Sequence, residues 1–144
     1  MGSPEENGES RAGGRVTLPE RRLFLRGATI FKEGEPADAA YILESGGVQI
    51  FKMVNGRRVM LGNVRPWGLF GELGLIDDSP RMAAAYVTED AACMVVSRDV
   101  FSRMLESVPE GLVMLIQSLA RTIRTTGDDL ADARYRIMEL ERPE

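Results

Sequence analysis

The sequence contains no histidine, and this absence excludes several classes of function. Without an imidazole there can be no Ser–His or Cys–His nucleophilic pair and no histidine-ligated metal site. Histidine-ligated cupins, a small β-roll class that a strand-rich chain can suggest, are therefore excluded as metalloenzymes. The adjacent acids Asp77 and Asp78 precede Ser79 and Pro80, a setting typical of a solvated loop rather than of a catalytic carboxylate pair. We predict no catalytic residue and no bound metal.

Cysteine and long apolar runs are also scarce. Cys93 is the single cysteine among 144 residues, so no internal disulfide can form and a reducing compartment is indicated. Its apolar neighbours predict a buried strand position rather than a reactive thiol. No stretch approaches the ~18 to 20 apolar residues of a membrane span, and the start of the chain lacks the basic-then-apolar order of a signal peptide. We therefore expect a cytoplasmic protein without a membrane segment.

Positive charge is in slight deficit. The chain has 18 Lys and Arg against 22 Asp and Glu, a net charge of −4, which disfavours non-specific attraction to nucleic acid or to an anionic membrane. A mild cluster of arginines near the N-terminus is interrupted by Glu20 and is typical of a solvated tail and strand edge. We expect no nucleic-acid-binding element in this chain.

Turn residues divide most of the chain into short segments of strand-like composition. Residues 1–18 are rich in Gly, Glu, Ser and Arg and poor in apolar residues, which predicts a disordered tail. Asn55 and Gly56 favour a two-residue hairpin, because both tolerate positive φ. The predicted strands are residues 23–25, 29–32, 40–44, 47–54, 57–64, 83–88 and 91–97. This spacing predicts an antiparallel roll or barrel.

Beyond Ser97 the apolar period changes from two to about 3.6. Ser97 can cap a helix that runs to Leu105, and Pro109 can occupy the first turn of a second, longer helix. In that helix the apolar residues follow the 4-3 spacing of a heptad seam, with Thr126 as its polar member. The apolar members are Leu112, Ile116, Leu119, Ile123, Leu130, Ala133, Ile137 and Leu140.

This seam predicts a long helix that packs partly on the roll and partly on another copy of itself, which gives a homodimer. The alternative is a helix that only covers the core of its own domain. Gly127 complicates both interpretations, because a glycine inside a helix costs about 1 kcal/mol. Residues 126–129 could instead cap a second, separate helix.

Residues 70–84 carry the clearest chemical pattern. Gly71 and Gly74 leave the backbone bare, and a short helical turn that opens at Gly71 would direct its free N–H groups at an anion. Arg81 adds a forked, charged donor for phosphate oxygens, while Glu72 can accept hydrogen bonds from a ribose hydroxyl. The pattern predicts a sugar-phosphate site. The alternative is a structural ion pair between Glu72 and Arg81 with no ligand.

These residues resemble the cyclic nucleotide-binding domain family, found in catabolite activator proteins, protein kinase A regulatory subunits and cyclic nucleotide-gated channels. The family's phosphate-binding cassette, F-G-E-L followed by P-R-x-A, matches FGELGLIDDSPRMA at residues 70–83. IFKEGEPAD at residues 30–38 and YILESG at residues 41–46 are similar to two further family motifs. The resemblance implies a mainly β fold with α: an antiparallel β-roll (double-stranded β-helix or jelly roll) with the cassette and C-terminal helices.

Carried over residue by residue, the resemblance implies a ligand site built around the cassette. Glu72 would bind the ribose 2′-hydroxyl and Arg81 the cyclic phosphate. Backbone amides would assist at Gly71, Leu73, Gly74, Met82 and Ala83. Positions that wall the base are matched by Ile50, Leu61 and Val64, each of which would also be ordinary core.

Four further positions bear on the ligand and the loop. Thr126 matches a hydroxyl residue that meets the adenine edge, whereas Gly127 stands where the partner subunit supplies a second hydroxyl. Met82 stands where relatives that favour cGMP commonly carry a hydroxyl that reaches the guanine amino group, which a thioether does less well. The expected ligand is therefore cAMP, with cGMP as the second candidate, and no other cofactor is expected. The family usually has glycine at Trp67, so we expect the turn to have moved its glycine to Gly68.

The resemblance favours a non-enzymatic regulatory domain that couples binding of a cyclic nucleotide to movement of its C-terminal helix. The alternatives are the sensor half of a transcription regulator without its DNA-binding domain, and a nucleotide-blind dimerisation module. The expected organisation is a tail at residues 1–18, a cyclic nucleotide-binding β-roll with a short helix at residues 19–108, and a lid or dimerisation helix at residues 109–144.

Overall fold

The computed structural model describes residues 20–142, which fold into antiparallel strands followed by helices. The strands are β1 (Glu20–Phe24), β2 (Thr29–Phe31), β3 (Ala39–Val54), β4 (Arg57–Val64), β5 (Leu69–Phe70) and β6 (Ala84–Ser97). The helices are α1 (Leu73–Asp77), α2 (Arg98–Glu106) and α3 (Glu110–Leu140). The predicted disordered tail lies outside the described residues.

The long strands β3 and β6 form the centre of the sheet. Their antiparallel ladder extends from Ala39 opposite Ser97 to Phe51 opposite Ala84. Each of them has two further partners along its length: β1 and β2 pair with different stretches of β6, and β4 and β5 with different stretches of β3. Exchange of partners along a long strand curls the sheet on itself. The predicted antiparallel β-roll with C-terminal helices is confirmed.

Two predicted strand breaks are wrong, because β3 and β6 each continue through them. Instead of ending, β3 shifts its register against β6 between Leu43 and Val48. Gly46 lies in this stretch with a φ of +94°, and a Cβ there would collide with the main chain of Asp90 and Ala91. The glycine therefore permits a bulge in which two long strands bend together without separating.

Aromatic rings fill the core next to β5. Tyr41 and Phe70 stack with their ring centroids 5.4 Å apart, and Phe31 lies 6.1 Å from Tyr41 and 6.2 Å from Phe70. Cys93 is fully buried in the same cluster, and burial raises the pKa of its thiol to about 11. The prediction of a buried strand position for Cys93 is confirmed.

Backbone conformation confirms one predicted turn and contradicts another. Asn55 and Gly56 both have positive φ, 50° and 79°, in the two-residue hairpin between β3 and β4. The left-handed residue of the next turn, however, is Trp67 with a φ of 69°, not Gly68. A Cβ on Gly68 would lie 2.8 Å from the carbonyl oxygen of Arg65. Glycine is therefore required here because a side chain would not fit, and not because of its φ.

The C-terminal helices follow their sequence signals with one exception. Ser97 caps α2 by accepting a hydrogen bond from the Val100 amide at 3.2 Å, as predicted. Pro109 occupies the N-cap position of α3 rather than its first turn. α3 is a single helix through Gly127, so the alternative of a separate second helix is wrong. None of the helices in residues 20–142 combines the length and apolar composition that a membrane crossing requires.

α3 presents two different faces. Ala120 and Ala131 are buried against the rest of the domain. A different side carries exposed apolar members of the predicted seam, here called the outer stripe: Leu112, Leu119, Ile123, Ile137 and Leu140. Part of the predicted seam therefore faces solvent in a single chain, while Ile116 and Leu130 are half-buried.

Candidate functional site

The segment between β5 and β6 turns tightly at its beginning. Gly71 has a φ of +78°, and α1 begins at Leu73 with Glu72 as its N-cap residue, two positions later than the turn predicted to open at Gly71. The amides of Leu75 and Ile76 donate to the Glu72 carbonyl at 3.0 and 3.1 Å. The amides of Leu73 and Gly74 come before the first donors of the helix, so they are free to meet an external acceptor.

The two glycines permit close packing. A Cβ on Gly71 would lie 2.9 Å from Nη1 of Arg81, and one on Gly74 would collide with the side chain of Ala37. Because neither position has room for a side chain, Arg81 can approach the backbone at Gly71 and α1 can sit directly on the turn before β3. Both glycines are therefore needed for the shape of the site.

Arg81 is a buried cation that is only partly compensated. It is 4% exposed, its guanidinium lies 4.0 Å from the Phe31 ring centroid, and it donates to the carbonyl oxygens of Gly71 at 2.7 Å and Ala39 at 2.8 Å. Its carboxylate partner Asp38, at 3.2 Å, is itself largely exposed. Nε is buried and has no hydrogen-bond partner among the described residues. Burial lowers the pKa of Arg81, against the opposing influence of Tyr41 and Asp38. Such a group is suited to an anion.

Glu72 is a half-buried carboxylate without a cation. In residues 20–142 no salt bridge involves it, and Arg81 pairs with Asp38 instead. The alternative of a mutual Glu72–Arg81 ion pair is therefore wrong. Burial raises the pKa of the Glu72 carboxyl group above its usual value. A desolvated carboxylate with no positive neighbour can accept hydrogen bonds from ligand hydroxyls.

Glu72 and Arg81 line one cavity of about 200 Å³. Its other walls are mostly apolar, a combination typical of small-molecule sites. Of the predicted site residues, the lining includes Gly71, Glu72, Leu73, Gly74, Arg81, Met82, Ala83, Ile50 and Val64. It also includes Phe31, Leu69 and Phe70, which were not predicted as ligand residues. Phe31 and Phe70 are letters of the quoted motifs, and that membership was the signal available for them.

Two predicted site residues lie elsewhere. The register of β3 against β4 passes from Ile50–Gly62 directly to Phe51–Met60, so Leu61 is the extra residue of a bulge and is not among the lining residues. Thr126 is exposed, in a shallow groove of α3 that also includes Arg121 and Thr122. Its neighbour Gly127 instead lies against Met82 of the cassette.

Comparison with known proteins identifies the family of this fold. The family model for the cyclic nucleotide-binding domain matches residues 21–108. The chain belongs to this family.

The relatives of this cyclic nucleotide-binding domain include regulators. The CRP-like cAMP-activated global transcriptional regulator of Mycobacterium tuberculosis is 37% identical over 110 residues, which are 76% of this chain and 49% of the relative. A cAMP-dependent protein kinase regulatory subunit of Aspergillus niger is 40% identical over 87 residues, 60% of this chain and 21% of the subunit. The catabolite activator protein structure of Thermus thermophilus aligns with a TM-score of 0.63 and 31% identity, over 78% of this chain and 53% of that chain. The chain thus spans about half the length of its bacterial relatives.

In this cyclic nucleotide-binding domain, Asp77 connects the cassette to α3. This carboxylate accepts two hydrogen bonds from Arg124, at 2.6 and 3.0 Å, and its side chain is 8% exposed, so the prediction of a merely solvated acid is wrong. Burial favours the neutral acid, but the hydrogen bonds and charge of Arg124 outweigh it and lower the pKa of Asp77. Nearby, Gln117 donates to the Ile76 carbonyl at 3.4 Å. α1 is therefore tied to α3.

Replacing Asp77 with Asn should destabilise the domain by about 2 kcal/mol at pH 7, because it leaves Arg124 without its charged acceptor. Since the pKa of Asp77 is lower in the folded state, this stabilisation is present above the unfolded-state pKa near ~4 and lost as the pH falls through the folded value. Denaturant unfolding at pH 7, 4 and 3 measures the difference and its loss in acid. Asp78→Asn is the matched control, because Asp78 is 87% exposed. Equal stability of the two variants at pH 7 would contradict the assignment.

Proposed function

We propose that this domain binds cAMP in preference to cGMP, and that binding moves α3 and so acts as a regulatory signal. The observation that carries the proposal is the pairing of unlike groups in one cavity: within residues 20–142, Arg81 is buried with an unsatisfied N–H and the Glu72 carboxylate has no cation beside it. A ligand that offers an anion and a hydroxyl on one rigid ring would satisfy both. A ribose cyclic phosphate has that composition.

The chemistry of each group assigns its role. Arg81 donates to a phosphate oxygen, assisted by the free amides of Leu73 and Gly74 at the start of α1. Glu72 accepts from the ribose 2′-hydroxyl, which a carboxylate does well and a cation cannot do. The apolar lining, which includes Ile50 and Val64, excludes water from these contacts and strengthens them.

The preference for cAMP rests on Met82. This residue follows Arg81 and lines the cavity, and its thioether is a poor acceptor for the amino group of guanine. A guanine base would therefore bring a polar group into an apolar setting without a good partner. One missing hydrogen bond of this kind corresponds to about 1 kcal/mol, or roughly fivefold in affinity.

The proposed coupling to α3 rests on the contact between Asp77 of the cassette and Arg124 of α3. The same short helix that offers its amides to the phosphate ends at Asp77, which is bonded to Arg124 of α3. A ligand that pulls α1 toward its phosphate would transmit the displacement through this pair. The outer stripe gives the moving helix an apolar surface, and we propose that two chains meet there as a homodimer, with Leu119 and Ile123 at the contact.

Calorimetric titration tests the ligand. cAMP should bind at one site per chain with a Kd in the micromolar range or tighter, which is about −8 kcal/mol, and cGMP should bind roughly fivefold more weakly. Chromatography of the titrated sample should return both nucleotides intact, since we assign the site no group that activates water. Absence of cAMP binding at several hundred micromolar, or turnover proportional to pure protein, would contradict the proposal.

A second candidate function is favoured by the share of each relative that the chain matches. Because it spans about half of the Mycobacterium tuberculosis regulator, the domain is also suited to be the sensor half of a transcription regulator. The full reading frame of the gene would show whether a DNA-binding domain accompanies this domain or whether the domain is a free-standing sensor. A nucleotide-blind dimerisation module is less well supported, since it would not need two unlike ionisable groups on one cavity wall.

A further inference from the structure

α3 has a notch where it crosses the cassette. Gly127 lies near the middle of this helix, and a Cβ built on it would collide with Cε of Met82. The end of the Met82 side chain therefore occupies the space that any other residue at position 127 would fill. Met82 is also part of the cavity wall, so the notch lies directly behind that wall.

Lys52 holds the same two elements together from a third one. From β3, its ammonium group donates to the Met82 carbonyl at 2.7 Å and pairs with Asp128 at 3.3 Å, and it also pairs with Glu33 at 3.0 Å. Asp128 is the residue next to Gly127. Thus the Met82 backbone is tied to α3 through Lys52, and the Met82 side chain is seated on α3 at the notch.

A glycine inside a long helix lacks a local justification. It costs about 1 kcal/mol relative to alanine, and α3 shows neither a break nor positive φ at this position. The other glycine of α3, Gly111 in its first turn, has no described atom within 4 Å of a built Cβ and offers a contrast. What distinguishes Gly127 is therefore the methyl group that it accommodates.

We propose that Gly127 is a positioning residue for the cavity, one that draws the flexible Met82 side chain toward α3 and keeps it out of the ligand's space. The inference rests on the proposed function for its ligand. A methyl group at position 127 would push Cε of Met82 away from the helix, and the cavity is the open space on its other side. Movement of α3 along its axis would shift the notch and have the same effect.

Four variants test the notch. Gly127→Ala should weaken cAMP binding by about fivefold or more, although alanine favours the helix, because overfilling a packed contact displaces Met82. Gly111→Ala is the matched control and should leave affinity unchanged. In a Met82→Ala background, Gly127→Ala should cause no further loss, because the colliding methyl group is gone. Unchanged affinity of Gly127→Ala, or its full penalty in the Met82→Ala background, would overturn the proposal.

A ligand-free measurement separates this inference from the proposed function. In protein labelled with ¹³C-methyl methionine, the Met82 signal, assigned by its loss in Met82→Ala, should shift in Gly127→Ala and stay in place in Gly111→Ala. If Gly127→Ala fails to fold, the double variant decides: recovery of the fold supports the notch, and an unfolded double variant overturns it. If wild-type protein does not bind cAMP while the methyl signal shifts as expected, the proposed function fails and the notch stands.

Discussion

Replacing Arg81 with Ala should lower the affinity for cAMP by at least about tenfold, the equivalent of one lost charge-assisted hydrogen bond. The cyclic phosphate would enter a partly desolvated cavity with only backbone amides to meet its charge. Calorimetry of wild type and variant measures the loss. Because Arg81 also donates to the carbonyl oxygens of Gly71 and Ala39, the variant should be less stable, and unfolding must be measured beside binding.

Arg98→Ala is the matched control for this structural contribution. Arg98 donates to the carbonyl oxygens of Ala37, at 2.6 and 3.2 Å, and of Gly74 at 3.4 Å, but it does not line the cavity. Its removal should lower stability through similar lost contacts and leave the affinity of the folded protein largely unchanged. Full-strength cAMP binding by Arg81→Ala, or an equal loss in both variants, would remove the assignment of Arg81 to the phosphate.

Changing Leu119 and Ile123 together to Glu should convert a homodimer into a monomer while cAMP binding largely survives. In one chain these side chains are 63% and 51% exposed, so the substitutions disturb little within it. In a dimer they would place two unpaired charges in a contact that otherwise removes apolar surface from water at roughly 25 cal/mol per Å². Light scattering measures the mass, and titration with cAMP measures the site.

Met104→Glu serves as the control, since Met104 is an exposed apolar residue on α2 rather than on the outer stripe. It should leave the oligomeric state unchanged. The dimer proposal fails if wild-type protein is monomeric at tens of micromolar both with and without cAMP. The outer stripe would then be an exposed face of a monomeric domain.

Features fixed by adjacent residues were predictable from the sequence. The hairpin follows from Asn55 and Gly56, which both accept positive φ, and the α2 cap follows from the Ser97 hydroxyl. The cassette could be placed by its motif, and most of its predicted residues lie around one cavity. In each case a few adjacent residues are enough to determine the local conformation or contact.

Features decided by distant packing were not predictable in this way. The turn-like residues around Gly46 form a bulge because β6 continues to pair on both sides of it. Asp77 reads as a solvated loop acid until α3 brings Arg124 beside it, 47 positions later. Leu61 matches a ligand-wall position in the sequence pattern, but it is the extra residue of a bulge that only the β3–β4 register reveals.

The left-handed turn before β5 gives the domain its own optical reporter. Trp67 is the single tryptophan of the chain, it is 67% exposed, and it stands two positions before Leu69 on the cavity wall. Its amide donates to the Leu43 carbonyl, and the Gly68 carbonyl accepts from the Leu43 amide, so the backbone that carries the indole is bonded to β3. Indole emission therefore comes from one known place beside the site, and the domain can be followed in solution without a dye or a label.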